Sequence, residues 1–162
     1  APVDLQVVAR GAVRLVKEHP DCDAGAVLSV AGDPVVVEGD EDLLHRVVSN
    51  LALNAVQAAK GPVHVTISTG LASPGELPSG AALDRAARLV VADDGPGIPE
   101  EVRPRLFEPF VTGRVGGSGL GLSIVQRAVE AHRGLVFVDS TLGVGTTFTI
   151  YLPLPGGLED QA

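Results

Sequence analysis

Asn50, Asn54 and Gln57 fall at i, i+4 and i+7, and in a helix that spacing gathers their carboxamides along one stripe. Asparagine inside a helix costs stability relative to alanine and is commoner at caps, so two aligned copies ask for a reason. Two readings fit. One is a solvated polar face; the other is a neutral oxygen donor to Mg²⁺, an ion that keeps several waters and takes few protein ligands alongside phosphate oxygens. Asp93-Asp-Gly95-Pro-Gly97 closes a strand-like run. A carboxylate there, beside glycines free to take unusual dihedrals, is able to accept from an exocyclic amine, and the plain alternative is an Asp-Gly turn. From Leu106 to Val125 the chain reads LFEPFVTGRVGGSGLGLSIV: a Phe-bracketed turn, a polar loop, then alternating glycines opening an apolar helix. The bare N–H groups and positive dipole end of such a helix attract anions, and Gly117, Gly119 and Gly121 allow phosphates close to the backbone; an ordinary glycine turn is the alternative. Gly143-Val-Gly145-Thr-Thr-Phe148 reads equally well as a hairpin bend.

Each candidate needs an element to hold it. Behind Asp40, a suitable N-cap, Leu43, Leu44, Val47, Val48, Leu51, Ala55 and Ala58 predict an amphipathic helix to about Lys60, ended by Gly61-Pro62. Upstream, Leu5, Val8, Ala12, Leu15 and Val16 predict a helix over 4–16. Residues 26–30 and 35–38 are β-favouring runs around Gly32-Asp-Pro34, read as a hairpin. Val63, Val65 and Ile67 alternate with His64, Thr66 and Ser68 in a half-buried strand, and 88–92 is another. Between them, 70–86 is a surface excursion rich in Gly, Pro, Ser and Ala. A short helix is expected over 99–105, a longer one over 121–132, and closing strands at 135–138 and 146–152. The order lacks regular βαβ alternation. It therefore predicts an α+β two-layer sandwich, a mixed sheet of about five strands with three main helices on one face. One domain over 1–152 and a polar tail over 153–162 are expected.

The composition narrows the function. The chain has 162 residues, 45% hydrophobic but only 3% aromatic, so its core must be aliphatic. A formal net charge of −8 with no basic run argues against general nucleic-acid or anionic-membrane binding, and leaves a polyanionic ligand dependent on a metal or oriented amides. Cys22 is the one cysteine, so internal disulfides are excluded and a reducing compartment fits. The four histidines show no metal spacing, and His64 and His132 read as surface residues. A Walker A loop, a G-x-G-x-x-G turn, the protein-kinase H-R-D and D-F-G pair, and a G-x-S-x-G elbow are all absent from the sequence.

In chain order, Asn50-Leu-Ala-Leu-Asn54-Ala, Asp93-Asp-Gly-Pro-Gly, Leu-Phe-Glu-Pro-Phe, Gly-Ser-Gly-Leu-Gly-Leu and Gly-Val-Gly-Thr-Thr-Phe together are far more specific than any one of them. With them, the sequence from Val3 to Pro153 closely resembles the catalytic ATP-binding domain of bacterial sensor histidine kinases. That group is shared with DNA gyrase B, the MutL repair proteins and large heat-shock chaperones. Asn54-Ala-Val-Gln-Ala with Glu108-Pro-Phe resembles the nitrogen-regulation type. The resemblance implies the Bergerat ATP-binding fold with ATP and Mg²⁺. It puts Asn54 on the metal, Asn50 beside the phosphates, Asp93 on the adenine amine with Gly95 and Gly97 beside it, and Thr146 in a water-linked adenine contact. Phe107 and Phe110 would anchor a lid. Gly117, Gly119, Leu120 and Gly121 would offer backbone to the triphosphate. Arg114 stands where many relatives carry a lid lysine and would meet the γ-phosphate, a swap that keeps charge but changes geometry.

The implied partners are a phosphoacceptor helical domain and, downstream, a response regulator, with no nucleic acid, no direct membrane contact and a cytoplasmic location. Gln57 and Arg133 depart from the family pattern, which often has Lys and Gly there. No histidine has the context of a phosphoacceptor helix, so the chain is expected to be the ATP-binding half of a larger kinase. Rival readings are a nucleotide-sensing interaction domain and an anti-sigma-factor-like serine kinase of the same fold.

Overall fold

The computed structural model describes residues 1–22, 25–73, 75–77, 85–105 and 121–155. In chain order the elements are β1 (Pro2–Asp4), α1 (Leu5–Lys17), β2 (Ala26–Gly32), β3 (Val36–Glu38), α2 (Glu41–Ala59), β4 (Val63–Leu71), β5 (Ala86–Asp93), a 3-10 turn (Arg103–Arg105), α3 (Gly121–Ala131), β6 (Leu135–Thr141) and β7 (Gly145–Pro153). Asp4 caps α1 by accepting from the Gln6 N–H at 2.9 Å. Asp40 caps α2 through the Leu43 N–H at 3.1 Å, and the helix stops where Lys60 turns left-handed at φ 53°.

The main sheet runs β2-β4-β5-β7-β6, parallel between β2 and β4 and antiparallel elsewhere. The helices cover one face, giving the α+β sandwich expected. Alternate residues of the central strands (Val65, Ile67, Leu89, Val91, Ile150) meet Leu5, Val8, Leu44, Leu51 and Val125 in one aliphatic core. Each such side chain contributes about 1.5–3 kcal/mol by leaving water.

The expected hairpin of 26–30 with 35–38 does not form. Instead β2 pairs in parallel with β4, while β3 pairs with β1 in a separate two-stranded sheet. The divergence is built at Gly32, whose φ of 90° and missing Cβ let it lie against Thr69, where an added methyl would sit 2.1 Å from the carbonyl oxygen. Asp33 N–H then bonds Thr69 O at 3.0 Å, Thr69 Oγ1 donates to Asp33 O at 2.8 Å, and Gln6 Nε2 donates to Gly32 O at 2.9 Å. The helix expected over 99–105 shortens to the turn Arg103–Arg105.

At its described residues the 70–86 excursion is pinned to the outer face of the sheet. Glu76 accepts from Tyr151 OH at 2.6 Å, from the Ser73 N–H at 2.7 Å and from Arg88 Nη1 at 3.1 Å. Burial raises the Tyr151 phenol, and with the Glu76 carboxylate beside it the group is pushed up to about 12. Burial works against the Glu76 charge, but these hydrogen bonds outweigh it and hold the carboxyl below its usual value.

Candidate functional site

β5 ends at Asp93 because β7 begins opposite it, with Asp93 registered against Thr146. Gly145 makes that register possible. At φ 150° its Cα faces the Asp93 backbone so closely that a Cβ would stand 2.1 Å from Asp93 O. The Asp93 carboxylate accepts from the Gly95 N–H at 2.8 Å and from the Thr146 N–H. Burial nevertheless dominates and raises its pKa, with the neighbouring Asp94 charge adding to the effect. Asp94 faces away. It takes the His64 N–H at 2.7 Å and the His64 ring at 3.0 Å, and these hold it below the usual range, the backbone bond most strongly.

After Asp93 the chain turns at Gly97, whose φ of 83° and missing side chain let it press against Thr141 and Leu142. The Gly143 N–H closes that contact on Pro96 O at 2.8 Å. Ser140 then joins two walls, accepting from the Ile98 N–H at 2.8 Å and lying 2.8 Å from Thr146 Oγ1. From the opposite side, α2 presents Asn54. The result is a cleft with apolar walls from Leu51, Ala55, Ile98, Leu122 and Phe148, and with Asn54, Asp93 and Thr146 as its polar groups. Its empty volume is about 590 Å³, counting the open space at its mouth. That mixture of apolar walls and a few polar groups suits a small molecule with a flat apolar body and a few polar edges.

Of the candidate residues, Asn54, Asp93, Gly97 and Thr146 line this cleft. Gly95 supports the Asp93 carboxylate, Asn50 lies one turn before Asn54 on α2, and Gly121 is the first residue of α3. Phe107, Phe110, Arg114, Gly117, Gly119 and Leu120 lie outside the described residues. Gln57 does not share in the stripe, because its Nε2 donates to Asp21 Oδ2 at 2.8 Å. His132 is not simply a surface residue: its ring accepts from the Asp40 N–H at 2.9 Å and lies 2.8 Å from Ala128 O, tying the end of α3 to the start of α2.

Two residues escaped sequence reasoning. Ser140 carried no signal, since a strand serine is unremarkable until its partners are known. Gly145 was visible in its cluster, but its close approach to Asp93 was not.

A pH effect follows from Asp93. Its folded pKa lies above the ordinary value of 3.8, so the folded state holds the proton more tightly. The stability this contributes is fully present below 3.8 and is lost as pH rises through the raised value. Urea unfolding of wild type and Asp93→Asn at acidic and neutral pH should show wild type losing stability relative to the variant across that window. A pH-independent difference would refute the shift.

A helix, two strand ends and a half-buried carboxylate around one largely apolar cleft place a small-molecule site in an α+β sandwich. Residues 39–156 match the family described as histidine kinase-, DNA gyrase B- and HSP90-like ATPase. The sensory histidine kinase/phosphatase NtrB of Vibrio alginolyticus is 42% identical over 117 residues, which are 71% of this chain and 33% of that protein. The sensor histidine kinase ZraS of Klebsiella oxytoca is 32% identical over 98% of this chain and 32% of its own length. Among solved structures, the mycobacterial sensor histidine kinase MprB superposes with a TM-score of 0.78 at 31% identity, covering 94% of this chain and 97% of that one. The chain belongs to this ATPase family, as a catalytic ATP-binding domain of the sensor histidine kinase kind. It spans about a third of the length of the curated relatives it matches. Among the described residues no helix is long and apolar enough to cross a membrane.

Proposed function

We propose that the cleft holds Mg²⁺-ATP and that this domain, over 1–152, donates the γ-phosphate to a histidine on a separate phosphoacceptor helical domain. From there the phosphoryl group passes to a response regulator in the cytoplasm. The observation that carries this reading is the pairing, across one cleft, of the half-buried Asp93 carboxylate with the Asn54 carboxamide. Among the described residues Asn54 makes no side-chain hydrogen bond, so its neutral oxygen is available. That suits Mg²⁺, which accepts a single protein ligand when phosphates and waters supply the rest.

Bound Mg²⁺ would offset phosphate charge and fix phosphate orientation. Asn54 holds the ion through its amide oxygen, and Asn50 sits beside the phosphates. Asp93 takes the adenine amine, Thr146 supports the same edge, and the Gly121 N–H at the start of α3 faces the triphosphate. Arg114, with the backbone of Gly117, Gly119 and Leu120, completes the charge compensation. Phosphoryl transfer asks the protein mainly for positioning and charge stabilisation, which fits a domain that supplies no nucleophile.

The test uses Asn54→Ala and labelled ATP. The variant should lose about tenfold or more in affinity for Mg²⁺-ATP while adenosine affinity stays within about twofold. Wild type incubated with the dimeric helical domain of its parent kinase should label a histidine on that domain and not His19, His45, His64 or His132. Equal loss for both ligands removes the metal assignment, and label on this chain or on a partner's serine overturns the division of labour.

A further inference from the structure

Ser140 is 8% exposed and its hydroxyl meets three groups. The Ile98 N–H donates to Oγ at 2.8 Å, Thr146 Oγ1 lies at 2.8 Å, and Gly145 O lies at a longer 3.3 Å. The Ile98 bond occupies one lone pair, so two proton arrangements remain. In the first, Ser140 donates to Gly145 O and Thr146 donates to Ser140, which leaves Thr146 only lone pairs for the cleft. In the second, Ser140 donates to Thr146 across the shorter distance, and the Thr146 proton is released to the cleft. The two differ by rotation of two hydroxyls, and the bond given up is the long one.

We propose that Ser140 is a positioning residue for base recognition, which holds Thr146 Oγ1 beside Asp93 and donates to it, so that Thr146 offers its own proton to the ring-nitrogen acceptor next to the adenine amine. This rests on the reading of the cleft as an adenine site. The register supports it. Asp93 and Thr146 face each other across β5 and β7, so an acceptor and a donor stand side by side, matching the amine and the adjacent N1 of adenine. Thr146 is 6% exposed, and no other side-chain hydroxyl or amide among the described residues bonds its Oγ1, so Ser140 is what fixes its rotamer. The same serine holds the Ile98 wall, which couples the floor of the cleft to its side.

Calorimetry with ADP and with 1-deaza-ADP, in which N1 is replaced by C–H, tests the assignment on the full chain. Wild type should prefer ADP by about tenfold, the value of one hydrogen bond. Ser140→Ala should weaken ADP by about three- to tenfold and leave 1-deaza-ADP within about twofold. Thr146→Val should do the same, and the double variant should lose no more than Thr146→Val alone. Ser140→Cys keeps the shape of the side chain with weaker hydrogen bonding. It should show the same nucleotide dependence in smaller measure, and it carries the test if Ser140→Ala does not fold. Equal loss for both nucleotides, or additive losses in the double variant, overturns the role of Ser140. Wild type that binds neither nucleotide overturns the adenine reading of the cleft and this inference with it.

Discussion

Asp93→Asn should lower the affinity for ATP by about two orders of magnitude or more, because with adenine in the cleft it leaves a donor facing a donor in a partly desolvated site. The carboxylate already takes the Gly95 and Thr146 N–H groups, and Asp93 lines the cleft. An asparagine has one acceptor oxygen. If that oxygen serves the backbone, the NH₂ points at the adenine amine; if it serves adenine, the NH₂ meets the backbone N–H groups. Wild type should also prefer ATP to GTP by about 100-fold or more, since the guanine O6 sets an acceptor against the carboxylate. Titration calorimetry of both proteins with both nucleotides checks this. Comparable wild-type affinities for ATP and GTP would remove Asp93 as the base reader.

Gly145→Ala should destabilise the fold by about 3 kcal/mol or more, lowering the melting temperature by roughly 6–12 °C. The new methyl would stand 2.1 Å from Asp93 O, a backbone atom at the end of the central strand β5 and paired there with β7, so neither side can yield cheaply. Gly143→Ala is the control. It also sits at positive φ, 78°, but has open space around its Cα and should cost only about 1 kcal/mol. Thermal and urea unfolding of both variants measure the contrast. Equal losses would mean that dihedral strain alone, and not the approach to Asp93, governs the position.

The helices were legible because their information is local. Asp4 and Asp40 sit at caps, apolar residues recur at helical spacing, and both α1 and α2 form where that pattern places them. Strand partners were not legible. Residues 26–30 and 35–38 satisfy hairpin chemistry, yet what separates β2 from β3 is the packing of Gly32 against Thr69, a contact between distant segments. β1, at three residues, is too short to announce itself. The same division holds in the cleft. Asp93 and Asn54 belong to motifs that can be read off the chain, whereas Ser140 acquires meaning only through Ile98 and Thr146, and the tie from Gln57 to Asp21 is invisible until α1 and α2 are side by side.

The register of β5 against β7 has a thermodynamic consequence. Asn54, Asp93 and Thr146 come from separate regions of the chain and meet only when α2 is docked and the Asp93–Thr146 pair is formed. An unfolded or partly folded chain holds at most one of the three in place, so a ligand of this cleft binds the native state alone. Its binding energy is then added in full to the unfolding free energy: about 2.7 kcal/mol when free ligand stands at 100 times its Kd. The protein's resistance to heat and to proteolysis should therefore track the nucleotide level around it, and a domain purified without nucleotide will look less robust than the same domain at work.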